Sequence, residues 1–219
     1  MKNLFTLILI ALVAFVGYAL FWPSDFMPQP WTVAPATTGA APVRSAPLAQ
    51  AERLGEGTAV GPEDVAVDNQ GRLYAGYEDG TIRRFDPDGG NGEVFATTNG
   101  RPLGLAFSDK PVAPADDEPK KEPTATTAQA QPAEQQPPQT LVVADADKGL
   151  LAINPAGDIK ILASGAEGRP FKFTNDVDVG PDGTIYFTDA SSKYGHDAYR
   201  TDILEHGGHG RLMEYDPAT

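Results

Sequence analysis

The sequence predicts an all-β chain, a partial β-propeller of about three four-stranded blades carried behind an N-terminal transmembrane helix. Three observations predict it. Glu63-Asp64-Val65-Ala66-Val67-Asp68-Asn69-Gln70-Gly71-Arg72-Leu73-Tyr74 and Asn175-Asp176-Val177-Asp178-Val179-Gly180-Pro181-Asp182-Gly183-Thr184-Ile185-Tyr186 repeat one pattern at an offset of 112 residues. Each copy reads as a polar pair, an alternating strand, a glycine turn and a second strand, and such repetition belongs to radial or stacked β architectures. Removing a Pro/Gln-rich insertion of 31 residues from that offset leaves 81, two repeats of about 40, the usual length of a propeller blade. Finally, Leu4 to Trp22 is an uncharged run of 19 residues, long enough to cross a bilayer as a helix.

The elements follow in order. Residues 1–22 form the transmembrane signal-anchor, since the apolar run continues through Leu20-Phe21-Trp22 where a cleavable signal would turn to small residues. Lys2 precedes the run and no basic residue follows before Arg44, so the positive-inside rule places the rest on the non-cytoplasmic side, the periplasm in a bacterium. Trp22 and Trp31 suit the headgroup level. Residues 23–50 are a Pro/Ala-rich linker, and residues 51–219 hold the propeller. In the first repeat, Thr81 to Pro87 and Glu93 to Ala96 supply the third and fourth strands. The middle repeat has Leu103 to Ser108, Leu141 to Asp145, Gly149 to Asn154 and Ile159 to Ala163. The insertion at 109–139, with nothing apolar to bury, is expected to be a disordered loop within that repeat. The last repeat reaches a third strand at Gly210 to Pro217. Blades that do not close a ring leave edge strands exposed. The chain is therefore expected to be the N-terminal part of a longer propeller, the alternative being closure with other copies.

Composition narrows the chemistry. A formal charge of -13 without any Lys/Arg cluster excludes a nucleic-acid surface, and the absence of cysteine excludes disulfides, thiolate sites and a cysteine nucleophile. Glu63, Asp64, Asn175 and Asp176 all precede or open a repeat's first strand, the innermost strand of a propeller blade, and so ring one mouth of the channel. Such oxygens either hold a cation, calcium by their number and kind, or cap strand ends and satisfy backbone donors. The middle repeat offers Leu103 at the equivalent place. Asp145 and Asp189 end second strands and read as turn-forming carboxylates. His206-Gly207-Gly208-His209 has a superficial metal spacing but no helix to aim both rings at one ion. Lys172, Lys193 and Tyr194 flank the last repeat's first strand, within reach of an anionic substrate. No phosphate loop, nucleophile elbow or triad is present, and no general base is identified.

The run Gly168-Arg169-Pro170-Phe171-Lys172-Phe173-Thr174-Asn175-Asp176, with Tyr186-Phe187-Thr188-Asp189-Ala190-Ser191-Ser192-Lys193-Tyr194, resembles the strictosidine synthase-like family of the adipocyte plasma membrane-associated protein type, which carries one N-terminal anchor. Gly61-Pro62-Glu63, Gly100-Arg101-Pro102-Leu103-Gly104-Leu105 and Gly210-Arg211-Leu212 fit the same pattern. The resemblance implies a six-bladed propeller, distantly similar to paraoxonases and gluconolactonases, which include calcium-dependent esterases and lactonases. It implies that Glu63 and Asn175 belong to a catalytic calcium and Asp64 and Asp176 to a structural one, the other ligands lying in later blades. The activity implied is hydrolysis of a small-molecule ester or lactone, with the present chain by itself expected to be inactive. The alternatives are a strictosidine synthase-type carbon–nitrogen bond-forming enzyme, whose late-blade glutamate lies outside this sequence, and a non-catalytic ligand-binding propeller.

Overall fold

A computed structural model of the chain describes residues 2–21, 25–33, 51–55, 57, 59–112 and 138–218. Residues 34–50 of the linker, 113–137 of the insertion and Thr219 lie outside the described residues, as do Trp22, Pro23 and Ser24. Helix α1 spans Lys2–Phe21, and its described apolar side chains are exposed throughout. A soluble domain would bury such a helix, whereas one that is apolar all round and exposed along its described length fits a lipid surround.

The rest is antiparallel β-structure in meandering sheets. The first blade pairs β1 (Val65–Val67), β2 (Leu73–Gly76), β3 (Thr81–Phe85) and β4 (Glu93–Thr97) in sequence order. The second pairs β5 (Pro102–Ser108), β6 (Thr140–Asp145), β7 (Gly149–Ile153) and β8 (Ile159–Ala163) likewise. A two-residue hairpin, β9 (Gly165–Ala166) and β10 (Arg169–Pro170), leads into a three-stranded sheet of β11 (Thr174–Val179), β12 (Ile185–Asp189) and β13 (Arg211–Tyr215). Between β12 and β13 stand a single 3-10 turn, His196–Ala198, and helix α2, Tyr199–Glu205.

The repeated sequence makes repeated turns. The amide of Gly71 donates to the Asp68 carbonyl and that of Gly183 to the Gly180 carbonyl, at 2.9 Å each. Both glycines take φ of +79° and +95°, where a side chain would be strained, and so the same glycine recurs at the same point of each repeat.

The middle blade shows why its strands read as unbroken apolar runs rather than alternating ones. Leu141, Val143, Leu151 and Ile153 join Ala66, Tyr74, Ile82 and Leu105 in the core between the first and second blades. Their alternates Val142, Ala144, Leu150 and Ala152 join Val177, Ile185 and Phe187 in the core between the second and third. Successive side chains of a strand point to opposite faces, and here both faces are covered by a neighbouring blade. The outer strands β4 and β8 expose more of their residues.

Inner strands meet almost backbone to backbone, with β5 lying against both β1 and β11. A Cβ added at Gly104 would stand 2.7 Å from the Asp176 Cα and 2.7 Å from the Val177 amide nitrogen. Since neither is a flexible side chain, Gly104→Ala is expected to force the second and third blades apart at a cost of about 1–3 kcal/mol. Denaturant unfolding of the variant checks it, through a lowered midpoint with an unchanged slope.

Candidate functional site

The candidate site is built around the start of β5. Asp64 immediately precedes β1 and points one carboxylate oxygen at the Val65 amide (2.7 Å) and the other at the Leu105 amide of the next blade (2.8 Å). On the other side of β5, Asp176 accepts from the Val177 amide at 2.9 Å, the same local bond that Asp64 makes to Val65. The repeat in sequence is thus a repeat in geometry: each aspartate accepts from the amide of the residue that follows it.

Asn175 and Asp176 sit where the β11 register to β12 shifts between Thr174 and Val177. Such a bulge breaks the pairing and re-aims side chains out of the sheet alternation. The same irregularity occurs in β5 between Pro102 and Gly104, with Leu103 in the bulge. Leu103 is therefore the middle blade's equivalent of Asn175, as the sequence alignment of repeats predicts, and it is buried.

Glu63 stands at this mouth, exposed to solvent. Partial desolvation raises its carboxyl above the ordinary value; Arg101 opposes that rise, and the neighbouring Asp64 and Asp176 carboxylates add to it. The structure thus brings Glu63, Asp64 and Asp176 into electrostatic contact across three inner strands. Arg101 is a participant that local spacing does not single out, although it lies in the Gly100-Arg101-Pro102 run. Its guanidinium donates to the Gly61 carbonyl at 2.9 Å, which ties the loop before Glu63 to the second blade.

As ligands for a hard cation the donors fit in kind, being oxygens alone, with mutual repulsion that a divalent ion would relieve. Among the described residues no three carboxylate, imidazole or thiol side chains converge closely enough to hold an ion by themselves. A calcium ion here would therefore need the Asn175 amide and backbone or further oxygens as well.

Asp145 and Asp189 are fully buried. Asp145 accepts from the Asp147 and Lys148 amides, both at 3.0 Å, as a turn former does, and also from the Arg101 amide at 3.1 Å. Asp189 makes no local turn: it accepts from the Lys172 and Phe173 amides, at 3.1 and 2.9 Å, and pairs with Arg211 at 2.6 Å. In both blades the carboxylate at the end of the second strand fastens the loop that enters the inner strand.

The histidines do not converge on one site. His196 meets Asp147 at 3.0 Å, His206 lies beside Trp31, and His209 meets Glu205 at 3.1 Å. Lys193, a candidate contact for an anionic substrate, is held by both Glu205 oxygens at 2.7 and 2.9 Å and also donates to the Asp25 carbonyl. Glu205 further accepts from the Tyr194 hydroxyl. A cavity of about 570 Å³ lies elsewhere, around Asp68, Tyr74, Phe95 and Phe107, at the opposite end of β1 from Glu63.

Burial by itself would raise the Glu205 carboxyl, but the bonds from Lys193, Tyr194 and His209 and from the Met27 amide outweigh it and hold the pKa at about 2, against 4.5 for a free side chain. A depressed carboxyl stabilises the fold fully above the unfolded value and loses that contribution as pH falls through the folded one. Docking of residues 25–33 on this carboxylate is thus expected to persist at pH 5 and to fail between about pH 4.5 and pH 2. Hydrogen-exchange protection of the Met27 and Gln29 amides reports it.

Two family models match the chain: strictosidine synthase-like, N-terminal, over residues 45–85, and strictosidine synthase over residues 175–219. The first match includes Glu63 and Asp64, and the second includes Asn175 and Asp176. The chain is 35% identical over 178 residues to the protein strictosidine synthase-like 4 of Arabidopsis thaliana, covering 78% of this chain and 40% of that protein. It is 38% identical over 179 residues to the adipocyte plasma membrane-associated protein of Bos taurus, covering 78% and 39%. It spans about 40% of the length of these relatives. Among solved structures, a gluconolactonase from Xanthomonas campestris is similar at 19% identity and a TM-score of 0.47, over 73% of this chain and 45% of that one.

Proposed function

From the premise that this is a strictosidine synthase-like chain, we propose that it forms the first blades of a membrane-anchored hydrolase, a calcium-dependent esterase or lactonase acting on a small-molecule ester or lactone. The observation that carries this reading is the placement of Glu63 and Asp64 on one side of β5 and Asp176 on the other, close enough for both aspartates to act on Glu63. Burial does most to raise the Glu63 carboxyl, Arg101 opposes the rise, and Asp64 and Asp176 add to it, so a divalent cation would favour its ionised form.

The four residues divide by what already engages them. Both oxygens of Asp64 are spent on backbone amides of two blades, so it suits an ion that fastens the propeller together. Asp176 makes the same local bond in β11 and lies beside Gly104 of the second blade. Glu63 is exposed and Asn175 half-buried in the bulge, so these two are placed to hold an ion that a substrate reaches. A bound calcium would supply Lewis-acid polarisation of an ester or lactone carbonyl. Arg101, fixed to the Gly61 carbonyl, keeps the Glu63 loop against the second blade and tempers the negative field there. Lys2 at the start of helix α1 favours, by the positive-inside rule, a mouth on the non-cytoplasmic side of the membrane.

Calorimetric titration of the full-length protein with calcium, beside assays on aryl esters and lactones with and without chelator, tests the proposal. Binding is expected to weaken about tenfold or more in Glu63→Gln, with loss of turnover. Calcium binding without turnover of any such substrate would make the protein a binding propeller. Turnover that survives a chelator would remove calcium from the account.

A further inference from the structure

We propose that helix α2 and residues 25–33 together form a second membrane contact, a surface that lies on the bilayer in which α1 is anchored. The proposal rests on the reading of α1 as a membrane-spanning anchor.

The first argument is reach. Helix α1 ends at Phe21, and by Asp25 the chain is already bonded to the third blade, through its carbonyl to the Lys193 ammonium. Four residues of chain span at most about 14 Å. The third blade's insertion therefore cannot stand away from the membrane surface, whatever the length of the linker beyond it. The attachment is repeated along the segment. The Met27 amide reaches the Glu205 carboxylate, the Gln29 amide donates to the Glu205 carbonyl at 2.8 Å, and Trp31 lies 5.8 Å from the His206 ring.

The second argument is what this surface presents. Ile203 and Leu204 of α2 are 63% and 72% exposed, although the helix is anchored from beneath by the fully buried Glu205. On the attached segment Met27 and Trp31 are 65% and 64% exposed. Exposed apolar side chains gathered beside Glu205 and His206 in this way, on a chain of charge -13, are unusual for a face turned to water. Tryptophan beside exposed aliphatic side chains is the composition of the membrane–water interface. The occupant is the bilayer rather than an anionic lipid headgroup in particular, since the patch is apolar and the chain as a whole repels anions.

The two arguments converge. The polar cluster of Lys193, Tyr194, Glu205 and His209 fixes the segment to the helix, and the short link to α1 carries both to the headgroup level. A propeller held at two points has a fixed tilt on the membrane, whereas one held by a single flexible link does not.

The absence of cysteine allows single labels. The full chain is reconstituted in phosphatidylcholine nanodiscs with a fluorophore on Leu204→Cys, and separately on Ile203→Cys, Leu12→Cys and Asp158→Cys. Lipids carrying a nitroxide on the acyl chain then quench whatever touches the bilayer. Quenching at positions 203 and 204 as well as 12, with none at the exposed β7–β8 turn at 158, is the expected result. Quenching at 12 alone overturns the second contact and leaves the anchor intact. Quenching at none of the four overturns the anchor and the proposal with it. The labels at 203 and 204 replace exposed side chains, so a fault in one is checked by the other.

Discussion

The closeness of the inner strands is the constraint on which the rest of this structure depends. Strand β5 has a neighbour on each side, and at Gly104 the backbone of β11 leaves no room for a side chain. Strands packed so tightly have few ways to satisfy the backbone amides that face the gap between blades, and an unmet buried amide costs about 1–3 kcal/mol. Asp64 answers that need by reaching from the first blade to the Leu105 amide of the second. With such a carboxylate opening the first and last repeats, acids from different blades lie on either side of β5 at one end of the inner strands. The concentration of negative charge that invites a cation is in this sense a by-product of how the blades are joined.

Much of this was legible in the sequence because repetition supplies an internal control. The hairpins at Gly71 and Gly183 and the equivalence of Leu103 with Asn175 follow from aligning the chain with itself, and the structure bears them out. The bulges that hold Leu103 and Asn175 were not legible, because each falls at the very start of its strand, with too few residues before it to show the alternation inverting. The long-range role of Asp189 was missed for a different reason. Its partners, the amides of Lys172 and Phe173 in the loop before β11 and the guanidinium of Arg211 in β13, are sixteen or more residues away, and local spacing is silent about them.

Helix α2 was also missed. Its seven residues are too few to show a helical period, yet some twenty residues separate Asp189 from Arg211 where other repeats turn within a few, and that interval was a usable signal. The composition of residues 23–50 suggested a spacer throughout, whereas residues 25–33 lie bonded to the third blade. Their Pro and polar content does not distinguish a segment in solvent from one held by its backbone, since the bonds run through main-chain groups that every residue has. The Glu205 cluster is likewise assembled from residues four to twelve apart on a loop and a short helix, each of them ordinary alone.

The central claim is that carboxylates of the first and third blades share one electrostatic site across β5. The most direct measurement is the carboxyl carbon resonance of Glu63, followed through its titration in the wild-type chain and in Asp176→Asn. If the mouth is built as described, removing the Asp176 charge lowers the Glu63 midpoint. An unchanged midpoint would mean that the two blades do not meet there, and the shared cation site would lose its foundation.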